Sequence, residues 1–158
     1  MLWGAWLIAT PLLAGEADLF TFTLRETTLQ IAEKLGRPAQ IGEASPGYFS
    51  WFLQTDVADQ HEHSHVLLFR HADRTLVSLT RNFEEPRAVD ELFPAGESRT
   101  FYWRAEGQPD WPVRVRCLSG DRVFIAMGVA QPGQRTNQLL LIRREALGAY
   151  LPWLAKQL

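Results

Sequence analysis

Residues 27–83 read TTLQIAEKLGRPAQIGEASPGYFSWFLQTDVADQHEHSHVLLFRHADRTLVSLTRNF, and this stretch decides the fold class. Thr28, Ile31, Ala32 and Leu35 fall on one face at helical spacing, while Gln30, Glu33 and Lys34 point away. Thr27 is the natural N-cap, with Gln30 three residues on closing a capping box; Thr23 with Glu26 offers an earlier start. Gly36 supplies a left-handed helix end and Pro38 prevents continuation. Gly42 to Gly47 reads as a loop, and Tyr48 to Thr55 as an aromatic strand. Val66-Leu67-Leu68-Phe69 is apolar at both parities, which predicts a strand buried on both faces. A turn at Ala72-Asp73-Arg74 and a return strand from Thr75 to Phe83 complete an antiparallel meander.

Outward from this stretch the signals are shorter. Phe20, Phe22 and Leu24 alternate with threonines, a brief strand pattern. Glu84 to Arg87 reads as a charged connector, and Ala88 to Phe93 as a helical turn ended by Pro94. Arg99 to Arg104 is an aromatic strand, Gly107 to Pro112 a loop, and Val113 to Leu118 an alternating strand. Ser119-Gly120-Asp121-Arg122 turns into a strand over Val123 to Val129. Gln138 to Ile142 is a last strand before an amphipathic segment, Arg144 to Leu158, which kinks or restarts near Pro152.

The order helix, proline stop, aromatic strand, strand, Asp-Arg turn, strand thus occurs twice. Pro38 to Trp51 spans 13 residues and Pro94 to Trp103 spans 9; Trp51 to Asp73 spans 22 and Trp103 to Asp121 spans 18. Both offsets shrink by the same amount, which allows either a diverged duplication or chance order. The expected fold is α+β: an antiparallel sheet of about six strands with helices on one face, divisible into two helix-plus-three-strand units. Residues 18–158 form the domain, with sub-units 18–84 and 88–158.

Composition limits the function classes. The chain has 158 residues, 46% hydrophobic and 11% aromatic, enough for a packed core. A net charge of -2 gives no reason to expect nucleic acid as partner. The single cysteine, Cys117, excludes an intrachain disulfide, and alternation places it on the apolar side of its strand as a buried thiol. Residues 1–14 form an apolar run too short to span a bilayer. With the small residues Gly15 and Ala17 it reads as a signal peptide over residues 1–17, although no Lys or Arg precedes the run. Glu16 stands where a lipoprotein signal would carry cysteine, so no lipid anchor is expected there. The expected location is periplasmic or secreted.

Residues 24–83 resemble the small periplasmic family that includes the outer-membrane assembly lipoprotein BamE (SmpA/OmlA) and the tandem-repeat β-lactamase inhibitor proteins. The resemblance is carried by the helix Thr28 to Leu35, the Leu35-Gly36-Arg37-Pro38 stop, Tyr48-Phe49-Ser50-Trp51 and the hairpin at Asp73. It departs from the family at the helix entry, which is of Gly-Met-Thr type there and Arg25-Glu26-Thr27 here, and in lacking the lipid-bearing cysteine. It implies helices packed on an antiparallel sheet and function through protein–protein contact.

For chemistry, one cluster stands out: Asp59, His61, His63 and His65. An extended strand places the three imidazoles on one face about 6.5 Å apart. With Asp59, or His71 across the hairpin, they would suit zinc or copper; a solvated loop that binds nothing is the plainer reading. There is no phosphate-binding glycine loop, no Gly-x-Ser-x-Gly elbow, no Cys-x-x-Cys pair and no His-Glu-x-x-His helix. Arg114 and Arg116 alternate along their strand as edge-guarding charge or a basic rim. The expected function is therefore non-enzymatic binding of another envelope or secreted protein, with no cofactor. Trp51, Tyr48, Trp103 and Tyr102 are the candidate contact residues. Zinc or copper binding at the histidine cluster is the alternative.

Overall fold

The computed structural model describes residues 22–35, 40–54, 62–93, 95–131 and 133–158. The segment read as a signal peptide, the Gly36–Pro38 stop, and Asp59 with His61 lie outside these residues, and the side chain of His63 is likewise not described. Helix α1 (Thr28–Leu35) leads into strands β1 (Gln40–Ser45), β2 (Tyr48–Gln54), β3 (Glu62–Arg70) and β4 (Leu76–Ala88). A turn of helix, α2 (Val89–Leu92), precedes β5 (Arg99–Trp103), β6 (Trp111–Leu118), β7 (Arg122–Met127) and β8 (Arg135–Arg143). Helices α3 (Arg144–Tyr150) and α4 (Pro152–Ala155) close the chain.

Among the described residues the strands form one antiparallel sheet in the order β1-β2-β3-β4-β8-β7-β6-β5. Two four-stranded meanders meet along their last strands. Ser78, Leu79, Thr80, Arg81 and Asn82 stand opposite Ile142, Leu141, Leu140, Leu139 and Gln138. Beyond Asn82 the register slips before Arg87, and Pro86 sits in that slip, where a missing N–H costs no ladder bond. The Pro86 carbonyl instead accepts from Arg135 Nε at 2.9 Å.

Local signals explain the ends of α1. The Thr27 N–H donates to Gln30 Oε1 at 2.8 Å and the Gln30 N–H to Thr27 Oγ1 at 3.4 Å, the reciprocal bonds of a capping box. The Thr23–Glu26 pair is also used, with the Thr23 N–H donating to Glu26 Oε2 at 2.8 Å. The expected strand at Phe22 and Leu24 is a turn; both side chains are buried, but the backbone at Arg25 has φ 85°. This turn is stitched to the start of β4, with Arg25 N–H donating to the Leu76 carbonyl and Leu76 N–H to the Glu26 carbonyl. At the β3–β4 hairpin Asp73 accepts from Arg70 Nη2 at 2.5 Å and from Thr75 Oγ1 at 2.7 Å. Those donors, Arg70 first, hold its carboxyl well below the usual range.

Strand alternation divides the interior into two cores, one on each face. Leu67, Phe69, Leu79, Leu139 and Leu141 pack with Ile31 of α1 and Leu92 of α2. Their neighbours Leu68, Leu140 and Ile142 pack with Ala146, Leu147 and Leu154 of α3 and α4 on the opposite face. A register shift opposite Leu68 and Phe69 leaves Val77 as an extra residue in β4, so that Leu76 and Leu79, three residues apart, face the same core.

Three expectations change here. The sheet has eight strands rather than about six: β1 lies in the stretch read as a loop, and β4 runs through the supposed connector Glu84 to Arg87. Helices cover both faces, not one. Trp51 and Trp103 are not counterparts, since they lie on the second strand of one meander and the first strand of the other. The final segment does restart, with Pro152 at the first turn of α4. No described helix is long and apolar enough to cross a membrane.

Replacing Leu139, fully buried in β8, with alanine is expected to cost about 2–5 kcal/mol. Thr27→Ala should cost about 1 kcal/mol. Both are read as urea midpoint shifts at unchanged slope, and a Leu139→Ala loss no larger than that of Thr27→Ala would contradict the two-faced core.

Candidate functional site

The outer edge of β5 carries the most exposed aromatic surface. Thr100 anchors the strand, its Oγ1 donating to the Ala130 carbonyl at 2.7 Å. Alternation sends Phe101 and Trp103 to the face covered by α3 and α4, and Tyr102 to the other. Phe101 is buried, but Trp103 lies near the end of the strand and is 43% exposed, Tyr102 45%. Across from Trp103 stands Trp111, 51% exposed, its ring against Gly128. A Cβ at Gly128 would come within 3.2 Å of that ring, and its φ of 74° further favours glycine. The β5–β6 connection is tied by Arg104 Nε, which donates to Asp110 Oδ2 at 3.1 Å.

Trp153 of α4 and Gln157, just past its end, stand beside this edge, the Gln157 amide donating to the Trp153 carbonyl at 3.2 Å. Between them and β5 runs an open groove of about 510 Å³. Every residue from Thr100 to Arg104 lines it. Consecutive residues of a strand line the same groove only where it follows the strand's edge, so its floor is backbone as well as side chain. A second hollow, about 290 Å³, lies past Phe101 among Glu97, Arg99, Cys117 and Leu158.

The sequence candidates separate cleanly. Trp103 and Tyr102 lie in the groove. Trp51 is core, its ring 4.9 Å from that of Phe69, and Tyr48 is half-buried against the opposite core. Trp111 and Trp153 are added by the structure. Trp111 fell at the end of a stretch read as loop, and Trp153 inside a segment read only as amphipathic. Cys117, expected buried, is exposed: it keeps the parity of Val113 and Val115, but the open hollow beside Leu158 faces it. Its Sγ lies 3.4 Å from Arg144 Nη2.

Arg114 and Arg116 are not edge charges, because β6 lies inside the sheet. Arg114 lies over the Phe93 ring, donates from Nε to Ser98 Oγ at 2.8 Å and pairs with Asp90 at 3.5 Å. Arg116 is packed against Gly96, where even a Cβ would collide with its guanidinium.

Of the histidine cluster, His65 is buried on the α1 face of β3, opposite Arg81. A register shift between Glu62 and Ser64 interrupts the strict alternation on which the one-face reading relied. His71 is exposed beyond the far end of β3, about 20 Å along the strand from His65, where Nε2 sits 2.9 Å from Glu43 Oε2. The structure does not bring these two imidazoles together. Among the described residues no three His, Cys, Asp or Glu side chains are grouped to hold a metal ion.

No family model matches the chain, and no curated protein matches it. Among solved structures similar to the chain are two extracellular proteins. One is a cysteine-rich secretory protein (SAV1118) from Staphylococcus aureus subsp. aureus Mu50, at 10% identity and TM-score 0.49, covering 79% of this chain and 46% of its own. The other is an extracellular protein containing a SCP domain from Bacillus anthracis str. Ames, at 10% identity and TM-score 0.48, covering 78% of this chain and 45% of its own. The chain spans less than half the length of either. The BamE resemblance is overturned by the fold: an eight-stranded sheet with helices on both faces replaces the one-faced sheet it implied.

Burial lowers the pKa of His65 from its ordinary 6.5. The unfolded chain therefore binds the extra proton first, and stability falls as pH drops below about 6.5 toward the folded value. His65→Gln should flatten that part of a stability–pH curve measured by urea titration; an unchanged slope would contradict the buried neutral imidazole.

Proposed function

We propose that this chain is an exported, non-catalytic binding protein whose contact surface is the β5 groove, and that it engages another protein of the cell envelope. The observation that carries the reading is the concentration of exposed aromatic surface at one sheet edge. Among the described residues, Tyr102, Trp103 and Trp111 are three of the six large hydrophobic side chains left exposed; Trp103 and Trp111 stand opposite one another, and Tyr102 projects from the other side of the same edge. Isolated exposed apolar residues are ordinary, but several aromatic side chains exposed along one strand edge mark a contact surface. Tyr and Trp dominate binding hot spots because each buries a large area at little rotamer cost. Arg104, Asp110 and Gln157 supply a polar rim of the kind that surrounds such a patch.

Export rests on the apolar run at residues 1–14 and the small residues that follow. The absence of a catalytic constellation from the sequence, together with the openness of the groove, favours binding over turnover.

Site-specific photo-crosslinking tests this. Benzoylphenylalanine in place of Trp103 should capture a defined protein adduct in cells, whereas the same group in place of Leu29, exposed on α1, should not. Trp103→Ala should weaken binding of the captured partner by about 2 kcal/mol, roughly thirtyfold. It should change folding stability by less than about 0.5 kcal/mol. Equal capture from both positions, or a Trp103→Ala protein that binds normally, would overturn the assignment.

A further inference from the structure

We infer that the β5 groove takes an extended polypeptide segment as a ninth strand, paired through backbone hydrogen bonds to Thr100, Tyr102 and Arg104. This rests on the reading of the groove as a protein-binding site and names the form of the partner. The backbone directions decide it. Pro112 has no N–H, and its carbonyl accepts from the Gly128 N–H at 2.9 Å, so Pro112 faces β7. Backbone groups in an antiparallel ladder alternate sides. Val113 and Trp111 therefore face β5, and their partners Phe101 and Trp103 spend their N–H and C=O groups on β6. Tyr102, opposite Pro112, and Thr100, opposite Arg114, direct theirs away from the sheet into the groove.

The two edges of the sheet differ in how they guard such groups. In β1 the register breaks between Glu43 and Ser45, a bulge that spoils the edge as a template. β5 pairs in unbroken register from Arg99 to Trp103 and holds no proline or internal charge. It presents about 17 Å of straight edge. Pockets flank it for alternate side chains of an added strand: the groove between Trp103 and Trp153, and the hollow past Phe101. This is strand addition, in which the backbone provides affinity and the pockets provide selection.

Charge indicates the kind of segment. Arg99 and Arg104, both exposed, stand at the two ends of the edge. The segment that fits is apolar at alternate positions and acidic at its ends, and it belongs to another protein.

The test uses a synthetic capped heptapeptide, alternating Val and Thr between terminal Asp residues, added to the whole protein labelled with nitrogen-15. The expected result is slowed hydrogen exchange at the Thr100, Tyr102 and Arg104 amides, with Phe101 and Trp103 unchanged. Tyr102→Pro removes one outward N–H where β6 needs none, and should weaken peptide binding roughly tenfold while the β7 and β8 amide shifts stay in place. Should that variant fail to fold, the wild-type exchange pattern decides alone. Peptide contacts elsewhere, or none, with partner crosslinking at Trp103 intact and insensitive to Tyr102→Pro, would overturn strand addition and leave the groove reading standing. Loss of both crosslinking and peptide binding would remove the groove reading itself. The same amides protected without peptide, with a concentration-dependent dimer in sedimentation, would replace the partner by a second copy of this chain.

Discussion

The antiparallel pairing of β4 with β8 is the constraint on which the architecture depends. Each meander alone would be a four-stranded sheet with two edges, one of them, β4 or β8, carrying a run of core side chains. Joining β4 to β8 hides both apolar edges at once. Leu139 to Ile142 are then buried on both faces, as are Leu67 to Phe69 in the neighbouring β3. Strand pairing of this kind adds little per hydrogen bond, about 1 kcal/mol net. Its larger effect is to bring two apolar faces into register so that each helix meets a core from both meanders. Phe124 and Ala126 of the second meander share a core with Ile31 and Phe69 of the first.

The same pairing determines where the molecule meets others. It leaves β1 and β5 as the outer strands, and their sequences treat exposure differently. β1 is bulged, with Glu43 occupied by His71. β5 is straight and aromatic. Helices α3 and α4 cover the middle of its face, burying Phe101, and stand aside at Trp103. A fold that guards one edge and furnishes the other with tryptophans has an asymmetry that stability alone does not require.

Local features were legible in the sequence. The capping box at Thr27, the strand through Val66 to Phe69 that is buried on both faces from Leu67 on, the turns at Asp73 and Asp121 and the restart at Pro152 all follow from neighbouring residues. What was not legible depends on distant ones. β1 is Gln-Ile-Gly-Glu-Ala-Ser, with little strand propensity, and exists because β2 offers it an edge. That helices take both faces follows from the β4–β8 register, which no local pattern states. Cys117 shows the limit well: alternation assigned its face correctly, but whether that face is covered there depends on where α4, distant in the sequence, ends. Of the groove, Tyr102 and Trp103 could be chosen from an aromatic strand, whereas Trp51, equally aromatic in sequence, is core because its side of β2 packs against Phe69 in the core that α1 covers. Trp111 and Trp153 join the site only through strand pairing and the packing of α4.

The most direct test of the central claim is amide hydrogen exchange along β5 in the free protein, residue by residue. The account predicts alternation: Phe101 and Trp103 protected by β6, Thr100 and Tyr102 exchanging far faster at an edge that awaits a strand. Uniform protection from Thr100 to Trp103 would show the edge already paired, and uniform fast exchange would show no ordered strand; either result would contradict it.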